Sequence, residues 1–141
     1  MQPLYEVTLA RPWHWGIAIV SAPDAAVPET LEPTLVTATP DALVIKVRHA
    51  QDIEAEAFEG DWDWATASIR VRSLTELDQT GEPVAFEGLL RVPTGELIIG
   101  DADSQVRVND LSDPSRVRVY ADNASDSGAT SVRIDFAPHP T

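Results

Sequence analysis

Apolar and polar residues alternate with a period of two along much of the chain. In 43–48 the apolar positions are Leu43, Ile45 and Val47, and in 65–72 every second residue is again apolar. This period sends successive side chains to opposite faces, as in a half-buried β-strand. About nine short strands are predicted on this basis, at 4–10, 13–20, 43–48, 65–72, 84–92, 95–100, 106–108, 117–119 and 132–136.

Prolines and glycines separate these segments and set the fold class. The chain has 11 prolines and 7 glycines, which form breaks such as 80–83 and 93–95. This spacing predicts an all-β protein: a two-sheet antiparallel β-sandwich, jelly-roll-like, with seven to nine strands. The length of 141 residues suits a single domain over 1–141. Four prolines in 21–41 exclude a central strand there and predict an extended surface connection.

The charge of the chain narrows the range of partners. There are 23 acidic residues against 10 basic ones, for a net charge of −13. A surface this negative repels phosphate backbones and anionic lipids, so neither nucleic acid nor a membrane is expected to bind.

The sequence shows no export signal and no run of 18 apolar residues, which predicts a cytoplasmic protein. Without cysteine, disulfide scaffolds and thiolate metal sites are excluded.

Positive charge is concentrated on the predicted strands. We expect Glu87 and Asp135 to be cross-strand partners of some of these arginines. The loops and the segment around residue 55 are then almost purely acidic. Seven of the nine arginines fall on or beside strands: Arg70, Arg72, Arg91, Arg107, Arg116, Arg118 and Arg133.

The most distinctive stretch, called the acidic segment below, spans residues 52–63. No Lys or Arg stands between Arg48 and Arg70. Residues 50–59 fit a short helix or an irregular strand end, and in either conformation carboxylates crowd on one side. Such a row of carboxylates can imitate a phosphate backbone, which predicts a basic protein partner such as a nuclease or toxin. The alternative is that the segment is simply a solvated part of an acidic protein. Its carboxylates are Asp52, Glu54, Glu56, Glu59, Asp61 and Asp63.

Four tryptophans occur as two pairs. Trp13 and Trp15 are in phase with the apolar positions that follow them, which predicts that both pack in the core. Trp62 and Trp64 are out of phase with the apolar positions of 65–72, so they are predicted to point outward unless a bulge shifts the register. Exposed indoles among carboxylates suit a protein interface. They also suit a sugar platform, so a carbohydrate-binding module using Trp62 and Trp64 stays open, as does a homo-oligomer or an accessory subunit.

Motifs for metal binding and catalysis are weak. Asp101-Ala-Asp-Ser-Gln resembles the start of a calcium loop, but Val106 and Ser112 stand where that loop needs Gly and Glu. The three histidines share no ligand spacing, and no nucleophile elbow, zinc-protease helix or phosphate loop is present. We therefore expect a non-enzymatic protein with no metal or cofactor.

The C-terminal half has a characteristic order of elements. After a strand at 64–72 come Pro83-Val-Ala-Phe-Glu-Gly, Pro93-Thr-Gly-Glu-Leu-Ile-Ile-Gly-Asp, Ser115-Arg-Val-Arg-Val-Tyr and Ser131-Val-Arg-Ile-Asp-Phe. Over residues 60–137 this order resembles the competence protein J-like family of small acidic β proteins. The best-known members of that family inhibit a DNA-entry nuclease. The resemblance implies the same class of function, an inhibitor of a basic nuclease.

Overall fold

The computed structural model describes residues 4–28, 30–50, 65–77, 83–102, 104–122 and 128–138. None of these residues forms a helix with the length and apolar character that spanning a bilayer requires. Ten strands are described: β1 Tyr5–Arg11, β2 Ile17–Ser21, β3 Val36–Ala38, β4 Ala42–Lys46, β5 Ala67–Ser73, β6 Val84–Leu90, β7 Leu97–Gly100, β8 Gln105–Val108, β9 Ser115–Ala121 and β10 Ser131–Pro138.

The strands form two five-stranded sheets. The first sheet has the order β1-β5-β10-β9-β6 and the second the order β3-β4-β2-β7-β8. Among the strand pairs described, only β5 and β10 run parallel. The predicted all-β fold with two mostly antiparallel sheets is confirmed, and the ten strands slightly exceed the predicted seven to nine.

The core lies between the inner faces of the two sheets. From the first sheet, Ile69 and Ile134 are fully buried, and from the second sheet Val20, Leu43 and Ile45 join the same apolar cluster. Burying a side chain of this size stabilises the fold by about 1.5–3 kcal/mol. The residues that alternate with the core positions of the first sheet therefore face outward, which places its arginines on the outer face.

The proline-rich region 21–41 contains one element that the pattern did not predict. β3, three residues long, pairs with β4 at the edge of the second sheet. Pro33 and Pro40 flank β3 and limit its length, because proline has no N–H to donate to a ladder. After Ser21, which ends β2, the described residues of this region supply no central strand, as expected.

The predicted strand at 13–20 is interrupted by a turn. The Gly16 N–H donates to the Trp13 carbonyl over 3.1 Å, and Gly16 has a φ of +70°, which favours glycine. Because β2 begins only at Ile17, the alternation that places Trp13 inside does not continue through Trp15. Trp13 is 0% exposed, whereas Trp15 is 61% exposed, so the prediction of a core position was wrong for Trp15.

Candidate functional site

The two ends of the stretch that contains the acidic segment meet at one point. Ala50 and Ala65 are both buried, and the Ala65 N–H donates to the Ala50 carbonyl over 2.9 Å. Residues 51–64, which lie between them, are outside the described residues. The predicted partner-binding residues therefore all remain a prediction: Asp52, Glu54, Glu56, Glu59, Asp61, Trp62, Asp63 and Trp64. The sugar platform suggested for Trp62 and Trp64 is untested for the same reason.

Trp13 holds this meeting point in place, and the three residues Trp13, Ala50 and Ala65 are called the segment root. The Trp13 carbonyl accepts a hydrogen bond from the Ala50 N–H over 3.0 Å. Its indole Nε1 donates to the Ala67 carbonyl, at the start of β5, over 3.0 Å. Since the indole is fully buried, the segment root is anchored to the core and is expected to be rigid.

Trp15 lies two residues from the segment root and presents its indole to solvent. It lines an open cavity of about 650 Å³ together with Arg11, Pro12, His14 and Ser104. The next residue along the chain is fixed, because the Gly16 N–H donates to the Trp13 carbonyl and the Gly16 carbonyl accepts from the Val47 N–H, each over 3.1 Å. An exposed indole on a fixed turn loses little freedom on binding, which favours its use as an anchor.

Arg11 forms the wall between this cavity and the core. Its guanidinium lies 3.7 Å from the centroid of the Trp13 ring. Its Nη2 contacts Asp101 Oδ1 at 2.8 Å and also donates to the Ser104 carbonyl over 3.0 Å. Asp101 is 3% exposed, so this ion pair is largely shielded from water. This arrangement fixes the side of the cavity that Arg11 forms and pairs the charge of that arginine with Asp101.

Almost all positive charge is paired within the molecule. All ten basic residues lie in the described ranges, and Lys46 donates to the Glu32 carbonyl. Intramolecular ion pairs leave little free positive charge to offset the excess of carboxylates. Eight arginines contact a carboxylate at 2.6–3.4 Å: Arg11, Arg70, Arg72, Arg91, Arg107, Arg116, Arg118 and Arg133.

Glu87 and Asp135 are the cross-strand partners that the sequence predicted. Glu87 is paired in register with Arg118 and contacts Arg116 and Arg118 at 3.4 and 2.9 Å. The hydrogen bond from Arg118 lowers the pKa of Glu87 most, partial desolvation opposes it, and the charges of Arg118 and Arg116 lower it further. The pKa of Arg118 is correspondingly raised, chiefly by its bond to Glu87. The arginines of β9 therefore favour the ionised form of Glu87.

Comparisons with known proteins extend the description of the fold. No protein-family model and no curated protein matches the sequence. The chain shares its fold with ComJ of Bacillus subtilis, described as an inhibitor of the DNA-degrading activity of NucA, at 14% identity and a TM-score of 0.59, covering 96% of each chain. It is also similar to the crocagin biosynthetic gene J protein, at 10% identity and a TM-score of 0.53, again covering 96% of each chain. The resemblance to the competence protein J-like family is confirmed for the fold.

Trp15 is the candidate site residue that the sequence pattern missed. Its signal was available in Pro12 and Gly16, which bracket the tryptophan pair and mark a turn more strongly than the alternation marks a strand. Period-two phase holds only while the strand is continuous. A turn resets the phase, and the second indole then faces solvent.

Proposed function

We propose that this protein is a non-enzymatic acidic binding protein that blocks a basic nuclease, as an inhibitor or as an immunity protein against a nuclease toxin. The observation that carries the proposal is the separation of charge. Eight of the ten basic residues contact carboxylates within the described fold, whereas the sequence of the acidic segment has six carboxylates and no cation. The described residues that flank 51–64, Ala50 and Ala65, are hydrogen-bonded to each other. A surface of this kind complements a cleft that normally holds phosphates.

In the proposed complex, the carboxylates of the acidic segment pair with the arginines and lysines that hold DNA phosphates. Such charge-assisted hydrogen bonds are stronger than neutral ones and set the orientation of the partner. Trp15, beside the segment root, supplies an apolar anchor next to the charged contact. Trp62 and Trp64 extend that anchor if they point outward, as the strand register predicts.

The shared fold supports a nuclease as the proposed partner. ComJ is described as an inhibitor of a DNA-degrading nuclease, and its fold is matched over 96% of both chains. A small, rigid β scaffold that carries an acidic segment is suited to blocking the cleft of a nuclease. The proposal needs no metal, cofactor or catalytic residue in this chain.

A DNA-degradation assay tests the function directly. The purified protein is added in increasing amounts to basic nucleases, with NucA and the nucleases of the native organism as probes. We expect degradation by at least one of them to fall in proportion to added protein and to cease near an equimolar ratio. Unchanged degradation by every nuclease, with no complex by gel filtration, would reject the proposal.

The acidic segment should control the association rate with the inhibited nuclease. In the variant Glu54→Lys, Glu56→Lys, Glu59→Lys we expect the association rate to fall by about 10-fold or more at low salt, because electrostatic steering raises such rates by about 10–10³. The salt dependence of the rate should flatten in parallel. Stopped-flow or surface-plasmon-resonance measurements over a salt series provide both quantities.

A variant with the same change in net charge serves as the control. Glu32, Glu76 and Glu96 are described acidic residues outside the acidic segment, and changing all three to Lys alters total charge equally. We expect a clearly smaller loss of rate from this control. Equal losses in the two variants would assign the effect to overall charge and remove the acidic segment from the interface.

Trp15 should contribute to affinity without contributing to stability. Trp15→Ala is expected to weaken binding of the inhibited nuclease by about 10-fold or more, since tryptophan anchors at interfaces are often worth at least 1–2 kcal/mol. Leu89→Ala, which removes another exposed apolar side chain from the outer face of the first sheet, is the matched control. Affinity is measured by titration calorimetry. Equal affinities for the two variants would place Trp15 outside the interface.

A further inference from the structure

The described strands of the first sheet carry more positive than negative charge on their outer face, although the whole chain has a net charge of −13. Its charged residues alternate with core positions such as Ile69, Val119 and Ile134, so all of them point away from the core. On the described strands of this face, five arginines accompany three carboxylates: Arg70, Arg72, Arg116, Arg118 and Arg133 with Glu6, Glu87 and Asp135.

Two of these arginines are direct neighbours. Arg70 on β5 is in register with Arg133 on β10, and both face outward. Like charges opposite one another on adjacent strands destabilise a sheet unless an anion lies near both. Glu6, which contacts Arg70 at 2.8 Å, is on β1, the strand that flanks β5 on the side away from β10. Asp135, which contacts Arg133 at 3.4 Å, lies two residues further along β10.

A cavity of about 480 Å³ opens over this pair of arginines. Its volume falls in the range of about 300–1,000 Å³ that is usual for small-molecule sites. Two residues before the arginines on the same strands, Ser68 and Ser131 are also in register, and they line the same cavity. Thr8, the register partner of Arg70 on β1, adds a third hydroxyl. Donors from three neighbouring strands therefore surround one space.

Tyr120 and Asp122 also line the cavity and contact the chain around these donors. The Arg133 guanidinium lies 4.1 Å from the centroid of the Tyr120 ring, and this stacking orients it. Asp122 is the one described acidic residue in the cavity lining, and its oxygens accept hydrogen bonds from Thr130 N, Thr130 Oγ1 and Ser131 N. These bonds hold the Asp122 carboxylate against the chain, while its negative charge offsets part of the charge of the two arginines.

We propose that this cavity binds the phosphate group of a small phosphorylated molecule. Guanidinium groups bind phosphate with paired N–H donors, and hydroxyl groups complete the tetrahedral set of contacts. A phosphate monoester carries close to two negative charges, and Arg70 and Arg133 present two guanidinium groups to this cavity, where Asp122 is the one described carboxylate of the lining. The distant carboxylates of the chain oppose binding only weakly, because salt screens charges beyond about 8 Å. The described lining of this cavity includes neither Trp15 nor a residue of the segment root.

Binding is tested with ribose 5-phosphate on the full chain, using calorimetry and amide chemical shifts, with ribose as the control ligand. Arg70→Gln should weaken binding by about 10-fold or more, the usual effect of losing a charge-assisted hydrogen bond. Glu6→Gln should instead tighten binding several-fold, because it removes the carboxylate that competes for Arg70. Both residues are exposed enough that the fold should survive either change.

A control variant and a second ligand complete the binding experiment. Arg107→Gln, which removes an exposed arginine from the second sheet, should leave the affinity unchanged. Titration with inorganic phosphate separates recognition of the phosphate alone from recognition of the ester. Binding of ribose as tight as that of ribose 5-phosphate, no binding of either phosphate, or equal weakening by Arg70→Gln and Arg107→Gln would overturn the proposal.

Discussion

Replacing Trp13 with alanine is expected to lower the free energy of unfolding by about 3–5 kcal/mol, the range for removing a large buried aromatic side chain. The indole is fully buried, and its Nε1 satisfies the Ala67 carbonyl at the start of β5. Its loss also removes the surface on which the Arg11 guanidinium stacks. Because a domain of this size is stable by only about 5–15 kcal/mol, a large part of its stability should disappear.

The second tryptophan of the pair provides the control. Trp15→Ala deletes the same side chain two residues away, at a position that is 61% exposed, and should change stability by no more than about 0.5 kcal/mol. Urea unfolding is followed by circular dichroism, since both variants lose a fluorophore. Trp13→Phe, which keeps most of the apolar volume but cannot donate to Ala67, should lie between them. Equal losses for the two alanine variants would contradict the assigned positions.

Removing the carboxylate of Asp135 should lower the free energy of unfolding by nearly as much. Asp135→Ala is expected to destabilise the protein by about 3–5 kcal/mol, because breaking a buried ion pair leaves charges without compensation. Asp135 is 1% exposed, and its two oxygens accept from Arg72 Nε and Nη2 over 2.9 and 2.8 Å. Arg133 lies 3.4 Å from the same carboxylate, so the variant leaves two neighbouring arginines without it.

An exposed ion pair of the same geometry separates burial from pairing. Asp41 contacts Arg91 through both oxygens, at 2.9 and 3.0 Å, but both side chains are substantially exposed. Asp41→Ala should cost no more than about 1 kcal/mol, the usual limit for a surface ion pair. Urea unfolding at neutral pH measures both variants. If the two losses are equal, burial of the Asp135 pair does not contribute as proposed.

The strands could be predicted because their signal is local. Each half-buried strand needs alternating residues over only a few positions, and the segments around Ile69, Val119 and Ile134 show that alternation clearly. β3 was missed because three residues between prolines are too short to show a period. The turn after Trp13 was missed because the phase of the alternation was extended through Gly16, where the chain reverses.

The candidate site was less accessible to sequence reasoning. The acidic segment was evident from its composition, and its interpretation as a partner-binding surface remains a prediction. The approach of Ala50 to Ala65, and the position of an exposed Trp15 beside them, depend on how the strands are arranged. No local pattern in the sequence reports that arrangement.

By itself, the sequence determined the all-β fold class, the location of most arginines on or beside strands, and the concentration of negative charge in the acidic segment. Each of these follows from residue type and from spacing over a few positions. The tertiary structure alone decided which charges pair, as in the contact between Arg72 and Asp135, which are 63 residues apart. It also decided that β5 and β10 run side by side, which brings Arg70 beside Arg133. Such contacts depend on strand order, and strand order is set by packing the whole core rather than by neighbouring residues.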